Sequence, residues 1–104
     1  MVKAYIIVDV DIHDPETYER YKTLTPASLI PFGGKFVVRG AATTTLEGSW
    51  TPKRFVMLEF PSADAARAWW SSPGYAEAKK LRQSVATTQM ILVEGAPFDP
   101  AASR

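Results

Sequence analysis

The chain has no cysteine and a single histidine, His13. The first absence removes disulfides, thiolate nucleophiles and cysteine metal sites together. The second leaves too few ligands for a zinc site built by the protein. An excess of either charge is also missing: 12 basic and 11 acidic residues leave a net charge of +1. Such a surface has no basic field for a phosphate backbone, so no nucleic-acid partner is expected. No apolar run approaches membrane-spanning length, so no membrane partner is expected. Near the start, Ile6-Ile7-Val8 is broken at once by Asp9 and Asp11, unlike a signal peptide, and a cytoplasmic protein is the expectation. Phosphate-cradling loops, dinucleotide fingerprints and nucleophile elbows are missing as well, because Gly33-Gly34 precedes a strand and not a helix. No cofactor is expected. A chain of 104 residues has room for one core.

What is present alternates. At 4–10, Ala4, Ile6, Val8 and Val10 share one face, while Tyr5, Ile7 and Asp9 share the other, the period of a strand. At His13-Asp14-Pro15-Glu16 a helix starts: Asp14 caps free amides, Pro15 suits the first position, and Glu16 favours the positive end of the dipole. Tyr18, Tyr21 and Leu24 form its stripe, Pro26 is expected to end or kink it, and Gly33-Gly34 closes the unit. A second strand at 35–39 has Phe36 and Val38 on one side and Val37 and Arg39 on the other. The polar, β-prone stretch 43–47 reads as a short edge strand or hairpin arm, followed by a turn carrying Trp50. Residues 54–60 make the clearest strand. Ser62 caps one helix, Ser72-Pro73 start another, and 89–94 form the last strand. The domain spans 1–95, and 96–104, with two prolines, reads as a flexible C-terminal tail. This order is the split β-α-β pattern of an α+β, ferredoxin-like sandwich with an antiparallel sheet.

Helices on one side leave the sheet's other face open, and that face is not polar. The strand at 54–60 exposes either Phe55 and Met57 or Val56, Leu58 and Phe60, and the last strand offers Ile91 and Val93 or Met90 and Leu92. Burying apolar surface yields about 25 cal/mol per Å², so a homodimer packed sheet to sheet is expected. The alternative is a monomer covered by its tail and the Trp50 loop.

The matching stretches are Tyr18-Glu19-Arg20-Tyr21, Gly33-Gly34-Lys35-Phe36-Val37-Val38-Arg39-Gly40, and Leu46-Glu47-Gly48-Ser49-Trp50 with Pro52 and Arg54. They continue with Glu59-Phe60-Pro61-Ser62, Ala68-Trp69-Trp70-Ser71-Ser72-Pro73-Gly74-Tyr75 and Leu92-Val93-Glu94-Gly95. In these the chain resembles domain-of-unknown-function family thirteen-thirty, in the dimeric α+β barrel superfamily. The resemblance implies a ferredoxin-like protomer forming a dimeric α+β barrel, and no established activity. Superfamily relatives include small monooxygenases, isomerases and haem-dependent enzymes, so the fold does not choose among chemistries.

Candidate site residues gather between 39 and 82. Arg39 and Glu59 sit on otherwise apolar strands. They read as an anion-binding arginine with an orienting or proton-accepting carboxylate, or as an ion pair at the dimer rim. Glu47, Trp50 and Arg54 read as a lid over a pocket, or as a loop anchored by Trp50 across the neighbouring protomer. Adjacent helical positions point about 100° apart, which makes Trp69 core and Trp70 a flank able to reach a pocket or the partner. Tyr75 and Arg82 share a stripe that edges the same cleft or faces solvent. Two functions follow. The first is a homodimer with a pocket for a small, mainly apolar molecule bearing an anionic or carbonyl group, with cofactor-free oxygenase or isomerase chemistry. The second is a non-enzymatic dimer that binds a metabolite or serves as an interaction module.

Overall fold

The structure, a computed structural model, describes residues 2–97. The alternation at the N-terminus becomes β1 (Ala4–Ile12), whose even-numbered residues 4 to 10 are buried. Helix α1 (Pro15–Leu29) starts where expected, with Asp14 Oδ1 accepting from the Thr17 amide at 3.2 Å. A 3₁₀ turn (Ile30–Phe32) leads to β2 (Lys35–Arg39), and a long connection to β3 (Phe55–Phe60). Then come α2 (Ala63–Trp70), α3 (Pro73–Val85) and β4 (Ala86–Glu94). Ser62 and Ser72 cap these two helices through their hydroxyls. The sheet is antiparallel in every pair, in the order β2-β3-β1-β4. No described helix is long and apolar enough to cross a membrane.

All three helices cover one face. Val56, Leu58 and Phe60 join the even-numbered residues of β1 there. Trp69 closes this core: it is wholly buried, its ring lies 4.0 Å from that of Tyr75 and 5.6 Å from that of Phe60, and its indole donates to Ser28 Oγ at 3.0 Å. The opposite face carries Tyr5, Ile7, Met57, Ile91 and Val93, and Ile91 is 61% exposed.

The structure departs from the sequence reading in three places. Residues 43–47 form no strand; the chain from 41 to 47 is irregular and exposed, since its threonines have neither a pairing partner nor an apolar face to bury. Helix α1 does not end at Pro26 but runs three residues past it. A proline has no amide for the carbonyl four residues back. That carbonyl belongs to Lys22, and Arg39 Nη2 donates to it at 2.9 Å, so a side chain from β2 replaces the missing helical bond. Third, Phe36 and Val38 do not share a face. Phe36 pairs with Leu58 and Val38 with Met57, so a bulge falls at Val37. The bulge inserts one residue and reverses the alternation beyond it. Arg39, opposite Val56, therefore joins Phe36 on the helix-covered face. Most of the tail, from residue 98, lies outside the described residues.

Gly34 sits where no side chain fits: an added Cβ would lie 2.6 Å from Phe60 Cε1 and 2.9 Å from Leu29 Cδ2. Gly34→Ala is expected to destabilise the fold by about 1–3 kcal/mol through overpacking, read as a lowered urea midpoint at unchanged slope.

Candidate functional site

A cleft lies between the covered sheet face and the helices, floored by Val8, Val56 and Leu58 and roofed by Tyr18 and Tyr21 of α1. Its space is narrow, about 30 Å³. Its walls are mainly apolar, yet three arginines line it: Arg39, Arg54 and Arg82.

Each arginine is placed by a different feature. Arg39 arrives through the bulge, bonds Lys22 and lies 4.2 Å from the centre of the Phe36 ring. Arg54 precedes β3 and lies 5.6 Å from the Tyr18 ring centre. Its guanidinium passes over Gly40, where φ is +67° and a Cβ would come within 3.0 Å of it, so glycine serves both the backbone and the close approach. Arg82 follows from helical period: Tyr75, Ala78, Arg82 and Val85 form the buried stripe of α3. Arg82 is 4% exposed. Its Nε reaches the Tyr75 hydroxyl at 3.5 Å, and that hydroxyl shares a 2.7 Å bond with Tyr21. Burial, and then the neighbouring Tyr21, push the Tyr75 phenol far above its ordinary range despite Arg82. It is a neutral hydrogen-bonding group, not a base.

Among the described residues, no carboxylate lies within 4.0 Å of any of the three arginines; the ion pairs engage other residues. Burial disfavours the charge on Arg82, but the Tyr75 and Tyr21 hydroxyls beside it outweigh that, so the guanidinium is held charged in the cleft.

The remaining candidates lie elsewhere. Glu59 points to the open face, where Lys35 stands at 3.1 Å, Lys3 at 3.5 Å and the Tyr5 hydroxyl at 3.4 Å. The Lys35 hydrogen bond, with Lys3 behind it, holds its carboxyl below the usual range. Arg39 and Glu59 are thus on opposite faces and form no pair, because the bulge turns only the arginine inward. Glu47 is exposed on the connection between β2 and β3, beside Trp50 and Pro52. Trp50 anchors that connection within its own chain: its indole donates to Asp9 Oδ2 at 2.9 Å and its ring meets Phe55 edge-on. Trp70, 42% exposed, lies beside β4 with Lys79 Nζ 3.7 Å from its ring centre. Trp69 lines the cleft from the core, and Tyr75 stands behind Arg82.

The sequence reading missed Tyr18 and Tyr21 as cleft residues and treated them only as a helical stripe. Two tyrosines on a buried stripe were the available signal, since buried hydroxyls need partners. Asp9 was missed as the anchor of Trp50, a contact 41 residues apart that local pattern does not encode.

A family model described as a domain of unknown function (DUF1330) matches residues 3–96. Among solved structures, RPA0582, a protein of unknown function from Rhodopseudomonas palustris, is 22% identical with a TM-score of 0.74, covering 95% of this chain and 85% of its own. SnoaB, a cofactor-independent oxygenase from Streptomyces nogalater, is 19% identical with a TM-score of 0.65, covering 96% and 99%. A dimeric ferredoxin-like protein of unknown function from Jannaschia sp. CCS1 is 12% identical with a TM-score of 0.61, covering 89% and 99%. These likenesses establish the ferredoxin-like α+β fold. No curated protein matches.

The Trp50 anchor sets a pH dependence. The Asp9 carboxyl is held below its ordinary value by the Trp50 hydrogen bond first and by the Lys53 and Arg54 backbone after it. A depressed carboxylate stabilises the fold fully above its unfolded pKa of about 3.9, and that contribution fades as pH falls through the lower folded value. The Trp50 indole N–H resonance is expected to lose its hydrogen-bonded shift only below that pH. Asp9→Asn should release Trp50 already at neutral pH and flatten the acid-side change.

Proposed function

The chain belongs to the DUF1330 family, a domain of unknown function, and on that premise we propose that it is a homodimer whose cleft binds a small, mainly apolar molecule bearing an anionic or carbonyl group. One observation carries this reading: Arg39, Arg54 and Arg82 line a single apolar cleft, and no carboxylate among the described residues stands against them. Guanidinium groups there supply donors without acceptors, which suits an oxyanion or a carbonyl oxygen. The narrowness of the space fits a site that opens by side-chain movement. Arg39, exposed and held by its bond to Lys22 and its contact with the Phe36 ring, is placed to swing aside.

Cofactor-free oxygenase or isomerase chemistry on the bound molecule is the catalytic form of the proposal, supported by the fold shared with SnoaB. A binding dimer without catalysis is favoured by a different observation. Glu47 and Glu59, the carboxylates expected to accept a proton, lie outside the cleft. Within it the Tyr18 phenol is held protonated: burial raises it, and Tyr21 raises it further. Oxygen uptake by protein supplied with a co-purified ligand separates the two: uptake supports the oxygenase, and unchanged ligand after long incubation supports the binding protein. The site is tested first by native mass spectrometry of protein taken gently from cells. A small molecule released on denaturation supports a ligand site in the cleft, provided Arg54→Ala loses it.

Homodimer formation is supported by the apolar open face of the sheet and by the dimeric state of the Jannaschia neighbour. Light scattering is expected to give twice the chain mass of 11.5 kDa. Ile91→Lys puts a charge in the middle of that face and should shift the mass to the monomer at micromolar concentration, with circular dichroism unchanged. A wild-type monomer would remove the dimer from the proposal.

A further inference from the structure

The three arginines are not equivalent. Arg39 already has two partners, the Lys22 carbonyl that Pro26 leaves free and the face of Phe36. Arg54 lies over Tyr18 and has intermediate exposure. Arg82 is buried to 96%, and its single hydrogen bond to a described residue is the 3.5 Å contact from Nε to Tyr75. Among the described residues, only Thr88 Oγ1 is a side-chain polar atom both sealed from solvent and unpartnered. The terminal nitrogens of Arg82 are therefore not sealed in; they lie near the Tyr21 and Tyr75 hydroxyls, with no carboxylate among the described residues, on the cleft that this residue lines.

We infer that Arg82 is the seat of a carboxylate, and that the cleft takes a flat monocarboxylate, acid end inward, with Arg39 and Arg54 at its rim. The inference rests on the reading of the cleft as a ligand site and adds which residue binds and what class of molecule enters. Two features select the class. The free edge of a guanidinium presents parallel N–H groups, a planar fork that matches a carboxylate in two hydrogen bonds. The space beyond it lies between an apolar sheet face and the rings of Tyr18 and Tyr21 and is narrow, about 30 Å³. Any ligand must part these two layers, and a thin aromatic or unsaturated body asks for the least parting. A phosphate group does not fit as well. It can also take the guanidinium fork, but its tetrahedral oxygens do not fit a thin slot between two layers. In this arrangement Tyr21 and Tyr75 are positioning residues: their shared bond fixes the hydroxyl that steadies Nε of Arg82.

The test is calorimetric titration of the full-length protein at pH 7 with three probes: benzoate, benzamide and inorganic phosphate. Tryptophan fluorescence, in which Trp69 reports on the cleft, is followed in parallel. Benzoate is expected to bind at least tenfold more tightly than benzamide, and phosphate not to bind measurably. Arg82→Met should remove the preference for benzoate, weakening benzoate far more than benzamide. Its melting temperature is followed alongside, so that a loss of folding is told apart from a loss of binding. Arg82→Lys keeps the charge without the fork, is the safer variant for folding, and should lose most of the preference. Arg39→Met should change benzoate affinity less than either. Equal binding of benzoate and benzamide would overturn the carboxylate seat and leave the ligand cleft standing. So would a preference for benzoate that survives Arg82→Lys and Arg82→Met. Phosphate binding more tightly than benzoate would overturn the ligand class. If none of the probes binds, the ligand reading of the cleft fails, and this inference with it.

Discussion

Three helices against one face of a four-stranded sheet leave the other face uncovered, and this one-sidedness governs where each polar side chain can act. A side chain turned towards the helices enters a low-dielectric layer and needs a partner there. One turned the other way meets solvent or a second protomer. Glu59 and Arg39 illustrate the difference. The carboxylate faces outward and is met by Lys3 and Lys35, which are themselves exposed, so its environment is ordinary for a surface. The guanidinium lies on the helix side, at the exposed rim of the cleft, and meets the Lys22 carbonyl that Pro26 has left without a helical donor.

Pro26, the bulge at Val37 and Arg39 form one device. The proline frees the Lys22 carbonyl, the bulge reverses the face of β2, and the arginine bridges strand to helix. Losing the bulge or the arginine would break that bond, at small cost since it is exposed and water can take its place. The arginine first seen as a ligand residue thus has a structural task as well. That shifts the weight of the cleft's electrostatics to Arg82, which is deeper and has no comparable partner. The cleft is then a place where the fold tolerates an uncompensated charge, a condition that structural ion pairs avoid and that ligand sites use.

The opposite face has a simpler logic. Ile7, Met57, Ile91 and Val93 cluster where β1, β3 and β4 lie side by side, and the connection tethered by Trp50 to Asp9 folds along its border without covering it. The cleft and the exposed apolar face therefore lie on opposite sides of the same strands. Residues on β1 alternate between the two, Val8 and Val10 towards the cleft and Ile7 and Asp9 towards the open face.

The sequence by itself determined the strands, the helices and their starts. Alternation at 4–10, the caps at Asp14, Ser62 and Ser72, and the burial of Trp69 are local or periodic features, and periodicity survives in any tertiary context. It also showed that two apolar faces would need covering. The tertiary structure decided the site. A bulge is a mismatch between two strands and leaves no mark in either one alone, so the face of Arg39 was not legible. The same holds for the separation of Arg39 from Glu59, the tether from Trp50 to Asp9, and the continuation of α1 through Pro26. Each rests on a contact between residues far apart in the chain. Arg82 lay between the two cases: helical period put it on a stripe with Tyr75, and only the packing of α3 against α1 made that stripe the buried one, with two tyrosine hydroxyls beside the charge.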